Sequence, residues 1–155
     1  MISAGLLMYR LRGEGLEVLL VHPGGPYFEK RDLGSWSVPK GLVGSDETSV
    51  AAARREFSEE TGFEAPAEER LLDLGEVRQA SGKRVQVWAF EGDCDPALLA
   101  SNDFEMEWPP RSGRMRRFPE VDRAEFFPPD DAVRRLNRGQ AELVPRLVER
   151  LVGTS

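Results

Sequence analysis

The sequence of 155 residues is poor in the residue types that build disulfide scaffolds and histidine sites. Its one cysteine, Cys94, cannot form an internal disulfide, and for its one histidine, His22, we expect a structural or solvated role. A lone thiol fits a reducing compartment, so we expect a cytoplasmic protein with a passive Cys94. No apolar run approaches the roughly 20 residues of a membrane span, and the apolar N-terminus has no basic start, so we also expect no signal peptide.

Cations are in deficit as well, because 21 Lys and Arg residues face 27 Asp and Glu residues and the formal net charge is −6. A negative protein repels phosphate backbones, so extended nucleic-acid binding is disfavoured. We therefore expect any anionic ligand to be bound by a few Lys or Arg side chains placed in the binding site, or by a metal ion. The length and the ordinary share of hydrophobic residues predict a single domain over residues 1–155 with a proper core.

Hydrophobic patterning predicts strands alternating with helices. We expect strands at 2–9, 16–21, 36–38, 71–79, 84–91 and 123–127, with the first two joined as a hairpin across the turn 12–15. Segment 93–117 has no clear period and is predicted to be a long functional loop. Together with the helices described next, this order predicts an α/β domain with a mixed sheet covered by helices on both faces.

Two helical segments are predicted. The first runs from an N-cap at Thr48 to Thr61, with Gly62 as a left-handed C-cap. The second covers 130–152 and is broken near 137–139. Its last helix is expected to begin near Val144, because Pro145 fits best in a first turn.

The first helix carries an unusual cluster of acidic residues. At about 100° per residue, Glu56, Glu59 and Glu60 fall within one arc of about 100°. The neighbouring apolar stripe, which would seat the helix on the sheet, consists of Val50, Ala53 and Phe57. Like charges at these spacings repel, and the last turn of a helix disfavours anions. A bound hard cation removes both penalties, and Mg²⁺ prefers carboxylate oxygens, so the cluster predicts a magnesium site.

A longer motif surrounds this cluster. Its fixed positions are Gly41, Glu47, Arg55, Glu56, Glu59, Glu60 and Gly62, with Phe57 and Phe63 at the hydrophobic positions. This stretch of 23 residues, Gly41–Phe63, resembles the Nudix box, and a chance match is on the order of one in a hundred million per start point. The resemblance implies a Nudix-like α/β/α sandwich and an enzyme that hydrolyses a diphosphate linkage by water attack at phosphorus.

Roles for individual residues follow from the same resemblance. Glu56, Glu59 and Glu60 match the family's metal ligands, and Lys40 would offer its backbone carbonyl to the metal. Arg55 would orient the glutamates by salt bridge, with Glu47 as a partner. The resemblance implies Mg²⁺ as the cofactor, with Mn²⁺ as a substitute.

The general base is left open by the sequence. It is either Glu56, within the box, or a glutamate on a later loop. Glu120 is the first choice for the loop position, since it precedes a short strand as in diadenosine polyphosphate hydrolases. Glu107 and Glu105 are the next candidates.

Several residues are candidates for binding the substrate. Lys40 lies in a Pro-Lys-Gly sequence like that of diadenosine polyphosphate hydrolases and decapping enzymes, and Lys83 follows Gly82 as in the diadenosine group. The aromatic candidates for stacking on a base are Trp88, Tyr27 and Phe28. Arg116 belongs to a set with Arg111, Arg114 and Arg117 that could bind distal phosphates.

The leading interpretation is a Mg²⁺-dependent hydrolase of a nucleotide-type substrate, with a dinucleoside polyphosphate as the favoured example. An RNA 5′-pyrophosphohydrolase and a nucleoside triphosphate or sugar-nucleotide pyrophosphatase remain alternatives. A catalytically silent nucleotide-sensing Nudix module is the alternative of another class, although such modules usually lose box glutamates. The sequence leaves the oligomeric state open.

Overall fold

The computed structural model describes residues 2–13 and 15–153. Within these residues the chain forms eight strands and three α-helices. In chain order they are β1 (Ile2–Arg12), β2 (Gly15–Pro23), β3 (Lys40–Leu42), α1 (Ser49–Thr61), β4 (Leu72–Arg78), β5 (Arg84–Glu91), β6 (Asp103–Glu107), β7 (Met115–Pro119), β8 (Val121–Phe127), α2 (Pro129–Arg135) and α3 (Leu143–Gly153).

Strand β1 is the centre of a six-stranded sheet with the order β4-β5-β1-β2-β8. It pairs in parallel with β5 along one edge, and along the other edge it pairs antiparallel with β3 and then with β2. Seven successive residues of β1 are buried, because both faces of a central strand are covered. The predicted mixed sheet is therefore confirmed.

Helices cover both faces of this sheet. Because successive side chains of a strand point to opposite faces, Leu6 and Met8 join the core beneath α1 with Phe57. Leu7 joins the core on the other face with Leu147 of α3. The predicted α/β/α sandwich is confirmed. Among the described residues, no helix is long and apolar enough to cross a membrane.

Most of the predicted elements are present with small shifts at their ends. The β1–β2 hairpin pairs Tyr9 with Val18 and Arg12 with Gly15, while Glu14 of the predicted turn lies outside the described residues. The break in the C-terminal helical segment is a short 3₁₀ turn at Arg138–Gln140. Helix α3 begins one residue before the predicted start, with Pro145 in its first turn.

The prediction of a strand at 36–38 is wrong. Trp36 and Ser37 make only isolated bridges, to Leu136 and Val21. Pro39 has no N–H to donate to a ladder, so regular pairing with β1 starts only at Lys40. The indole of Trp36 is fully buried and donates to the Asp32 carboxylate at 2.8 Å.

The prediction of a structureless loop over 93–117 is also wrong. This segment contains a 3₁₀ turn at Pro96–Leu98 and the strand β6, which forms a two-stranded sheet with β7. Side chains of β6 alternate between exposed and half-buried, so the hairpin has one face against the domain.

Candidate active site

Helix α1 is fixed at both ends by its own sequence. The Thr48 hydroxyl accepts from the backbone N–H of Ala51 at 3.1 Å, and Gly62 ends the helix with φ of 78°. Ala53 and Phe57 of the predicted apolar stripe are fully buried, whereas Val50 is half-buried and Ala52 fills that place in the core. The neighbouring acidic face is thereby turned towards β3 at the edge of the helix.

Arg55 joins three of the glutamates. Its Nη2 and Nε donate to the two carboxylate oxygens of Glu47 at 2.6 and 3.1 Å. Its Nη1 donates to both Glu56 and Glu59 at 3.0 Å. The Arg55 guanidinium and the N–H of Gly44 lower the pKa of Glu47 to about 2. Arg55 therefore offsets the repulsion that the acidic cluster would otherwise suffer.

Gly41 lies directly against the Glu56 carboxylate. A Cβ at this position would overlap the carboxylate group, so only glycine leaves the carboxylate its present place. Burial raises the pKa of Glu56, while the Arg55 guanidinium acts to lower it. The glycine of the motif thus has a steric reason in this chain.

Glu60 is the most strongly perturbed of the carboxylates. Burial raises the pKa of Glu60 to about 8, although the Lys40 N–H, which donates to it at 3.2 Å, acts in the opposite direction. Burial and the nearby Lys83 ammonium lower the pKa of Lys40. An anion and a cation in one partly dry site are each penalised, which is typical of groups placed for function.

These side chains meet in a cavity of about 400 Å³. It is lined by Lys40, Gly41, Leu42, Glu56, Glu59, Glu60, Lys83, Asn102 and Glu120. A smaller cavity of about 180 Å³ adjoins it and shares Lys40, Glu60 and Glu120. The volumes suit part of a nucleotide rather than a macromolecule.

Glu120 reaches this cavity from the turn between β7 and β8. Its backbone N–H donates to the carbonyl of Asn102 at 2.7 Å, and the N–H of Asn102 donates to the carbonyl of Glu59 at 3.1 Å. One backbone bridge therefore links the last turn of α1 to the exposed Glu120. No sequence pattern points to Asn102, which lies in the segment where no element was predicted.

The donors suit a hard divalent cation. Three carboxylates and the Lys40 carbonyl are the oxygen ligands that Mg²⁺ prefers. Among the described residues no three acidic or histidine side chains enclose a cation by themselves, since Glu56 and Glu59 share Arg55. Mg²⁺ keeps several waters and needs only one or two carboxylates besides substrate phosphates, so a closed cage is not required. The residues therefore fit such a cation.

Other predicted residues lie outside the cavity. Glu107 accepts from the backbone N–H groups of Arg111 and Gly113 at the tip of the β6–β7 hairpin, and Glu105 pairs with Arg117 at 3.4 Å. Both carboxylates stabilise the hairpin itself. Among the base candidates, only Glu56 and Glu120 line the cavity.

The aromatic and arginine residues predicted to bind the substrate also lie outside the cavity. Trp88 is half-buried and packs against the core beneath α1. Tyr27 and Arg116 are exposed beside the β6–β7 hairpin, where Tyr27 packs edge-on against Trp108. Of the predicted substrate contacts, Lys40 and Lys83 are the two that line the cavity.

His22 is fully buried, so its predicted structural role agrees with its position. Its ring nitrogens lie 2.8 Å from the Asp122 carboxylate and 2.6 Å from the Arg31 carbonyl oxygen. Burial raises the pKa of Cys94 to about 11, so its thiol stays protonated and is a poor nucleophile.

A cavity with four glutamates and two lysines thus lies on an α/β/α sandwich. A NUDIX domain profile matches residues 1–147. The chain therefore belongs to the NUDIX domain family. Members of this family generally use divalent metal cations and bind small nucleotide substrates.

Similar proteins come from animals, bacteria and a phage. An Ap4A hydrolase of C. elegans, in a binary complex, has a TM-score of 0.68 at 21% identity, covering 97% of this chain and 98% of that one. The NUDIX domain of Shewanella oneidensis NrtR, complexed with ADP ribose, has a TM-score of 0.63 at 16% identity, covering 97% and 88%. At these identities the two structures establish only a shared fold.

A relative in sequence is an uncharacterised 17.7 kDa protein of enterobacteria phage T4, from the e-segB intergenic region. It is 33% identical over 94 residues, which is 60% of this chain. The match spans 61% of the phage protein's length.

Proposed function

We propose that this protein is a Mg²⁺-dependent hydrolase that cleaves a diphosphate linkage in a dinucleoside polyphosphate. The observation that carries the proposal is the cavity in which four glutamates face two lysines. Carboxylates can hold a cation and accept a proton, and ammonium groups can neutralise phosphate oxygens. Few other reactions need both kinds of group in one small site.

Lys40 and Lys83 are the residues proposed to bind the diphosphate. Both line the cavity, and the Lys83 ammonium disfavours the charged form of Lys40, a penalty that a bound anion would offset. Arg55 is a positioning residue, because it contacts the glutamates and does not line the cavity. It would hold Glu56 and Glu59 in place for a metal.

Glu56, Glu59, Glu60 and the carbonyl of Lys40 are the proposed ligands of Mg²⁺, for which Mn²⁺ would substitute. The bound metal would neutralise the diphosphate and lower the pKa of the attacking water. We assign the general base to Glu120 rather than Glu56. Glu120 has no side-chain partner among the described residues, whereas Glu56 already accepts from Arg55.

The choice of a dinucleoside polyphosphate is supported by the Pro39-Lys40-Gly41 sequence, by Lys83 and by the similarity in fold to an Ap4A hydrolase. The net charge of −6 disfavours RNA as the usual substrate. A reducing, cytoplasmic location is part of the same proposal, since the one cysteine has no partner within the chain.

The test is product release from a panel of substrates with Mg²⁺, read by chromatography. The panel holds diadenosine polyphosphates, ADP-ribose, nucleoside triphosphates and 5′-triphosphorylated RNA, with a chelator control. We expect a diadenosine polyphosphate to be cleaved fastest and the chelator to abolish cleavage. Glu120→Gln should lower kcat by about 10²-fold or more, the usual range for a general base.

The matched control is Glu125→Gln, which changes an exposed glutamate on β8 outside the cavity. It should leave kcat within twofold. Equal activity of Glu120→Gln and Glu125→Gln would refute the assignment of Glu120 as the general base. Cleavage that persists in the presence of the chelator would refute the proposed requirement for a metal ion.

A further inference from the structure

The β6–β7 hairpin stands apart from the main sheet and has two chemically different faces. Its register pairs Phe104 with Phe118 and Met106 with Arg116, and Trp108 donates to the Arg114 carbonyl at 2.9 Å. Cross-strand partners share a face, so one face holds Phe104, Met106, Trp108, Arg114, Arg116 and Phe118. We call this the inner face.

The inner face is turned towards the loop that follows β2. A Cβ on Gly25 would lie 3.0 Å from the Phe104 ring, and the Tyr27 ring meets Trp108 edge-on at 5.3 Å between centroids. The aromatic side chains of the inner face therefore lie beside Tyr27, which comes from a different part of the chain.

The arginines of the inner face differ from Arg117 on the outer face in their ion pairing among the described residues. Arg117 points to the outer face and pairs with Glu105 at 3.4 Å and Asp103 at 4.0 Å. Among the described residues, Arg114 and Arg116 have no carboxylate partner, although the chain has an excess of acidic groups. Tyr27 is 57% exposed, so much of its ring is open to a ligand.

Along the chain, the inner face lies next to the cavity. Pro119 ends β7, Glu120 follows it in the cavity, and the N–H of Gly24 donates to the Glu120 carbonyl at 3.0 Å. Arg116 precedes Glu120 by four residues, which is about 13 Å of extended strand. A ligand that fills the cavity and extends along the hairpin would meet Arg116 first, then Arg114 and the aromatic pair.

We propose that Tyr27, Trp108, Arg114 and Arg116 form a second subsite, which binds the nucleoside phosphate half of the substrate beyond the cleaved linkage. The base would stack on the exposed Tyr27 ring beside the half-buried Trp108, and the guanidinium groups would bind distal phosphates. The identity of the ligand rests on the proposed function, but the subsite itself rests on the geometry of the hairpin.

Direct binding tests this inference without turnover. Calorimetry in the presence of a chelator would give the Kd of diadenosine tetraphosphate for the wild type, Tyr27→Ala and the double variant Arg114→Ala/Arg116→Ala. Arg117→Ala is the control, because it removes an arginine next to Arg116 from the opposite face of β7. We expect the first two variants to bind about tenfold more weakly or worse, and the control to bind within twofold of the wild type.

Equal affinity of all four proteins, or no binding by the wild type, would overturn the inference. A 5′-triphosphorylated RNA oligonucleotide is measured in parallel. If the RNA binds more tightly than the dinucleotide and only its binding falls in the variants, the occupant is RNA and the assignment to a dinucleotide is wrong. Cleavage with Mg²⁺ is measured separately, so absence of cleavage rejects the proposed function while the Kd values still decide on the subsite.

Discussion

Glu60 shows how a single residue trades stability for function. It is half-buried at the end of α1, where the backbone N–H and the ammonium of Lys40 compensate only part of the loss of water around its carboxylate. A structural design would place a neutral side chain there, since burying a charge without a partner destabilises a fold. The cost becomes reasonable if a cation binds, because a metal replaces the lost hydration.

The raised pKa of Glu60 gives a prediction with a definite sign. Its pKa is about 8 in the folded protein and about 4.5 ordinarily, so between these pH values the folded state binds more protons than the unfolded state. The stability of the metal-free wild type should therefore fall as the pH rises from about 4.5 to about 8. Glu60→Gln removes this dependence, so its Tm relative to the wild type should rise between pH 5 and pH 8.5 in chelator.

Glu47→Gln is the control for this experiment, because the pKa of Glu47 is shifted in the opposite direction, to about 2. The stabilising contribution of Glu47 is fully present above about pH 4.5, and its loss should give a Tm difference that is constant between pH 5 and pH 8.5. Parallel curves for wild type and Glu60→Gln would show that burial does not perturb Glu60.

At the scale of elements, the end of α1 and the start of the β6–β7 hairpin depend on each other. Both Gly62 and Gly82 have positive φ, of 78° and 88°. A Cβ on Gly62 would lie 2.9 Å from atoms of Ala100, whereas a Cβ on Gly82 would meet nothing within 4 Å. An alanine at either position would therefore carry similar backbone strain, whereas its surroundings would be crowded only at position 62.

We expect Gly82→Ala to cost about 1 kcal/mol of unfolding free energy, from the left-handed conformation alone. Gly62→Ala should cost more, because it also displaces the segment that carries Asn102 and holds Glu120. It should lower kcat as well, whereas Gly82→Ala should change kcat less. Urea unfolding and steady-state kinetics measure the two effects, and equal losses in both variants would contradict the link between the helix end and Glu120.

The sequence predicts those elements whose signals are local. Helix α1 has its cap residues and its apolar stripe within 15 residues, and the β1–β2 hairpin has a turn between two apolar runs. The β6–β7 hairpin was missed because only one of its faces packs against the domain, and its charged residues hide the alternation. Trp36 was misread because its burial comes from distant contacts, with Leu136 and Phe127, rather than from strand pairing.

The residues of the candidate site also fall into two groups, those that local spacing predicts and those that contacts between distant segments bring together. The box glutamates, Arg55 and Gly41 are predictable because one helix turn and one short strand set their spacing. Asn102 and the aromatic pair of Tyr27 and Trp108 depend on how segments far apart in sequence meet, which no local pattern records. Glu120 was a correct choice of position in the cavity, and its role as base stays a prediction.

At the scale of the whole molecule, the cavity joins the two halves of the chain. Lys40 and the glutamates of α1 come from the first half, and Asn102 and Glu120 come from the second. A ligand that binds all of them binds only the folded state, so it must stabilise the fold as a whole. Mg²⁺ at about 100 times its Kd should add about 2.7 kcal/mol, or roughly 5–10 °C in Tm for a chain of this size.

Glu59→Gln should lose most of that Mg²⁺-dependent shift, because it removes a proposed ligand that is half-exposed and contributes little to the core. Glu64→Gln is the control, since Glu64 is an exposed glutamate just beyond the C-cap and lies outside the cavity. Differential scanning fluorimetry with a Mg²⁺ titration measures both. If Glu59→Gln keeps the full shift, or if Glu64→Gln loses it equally, then Mg²⁺ stabilises the protein somewhere other than at the glutamates of α1.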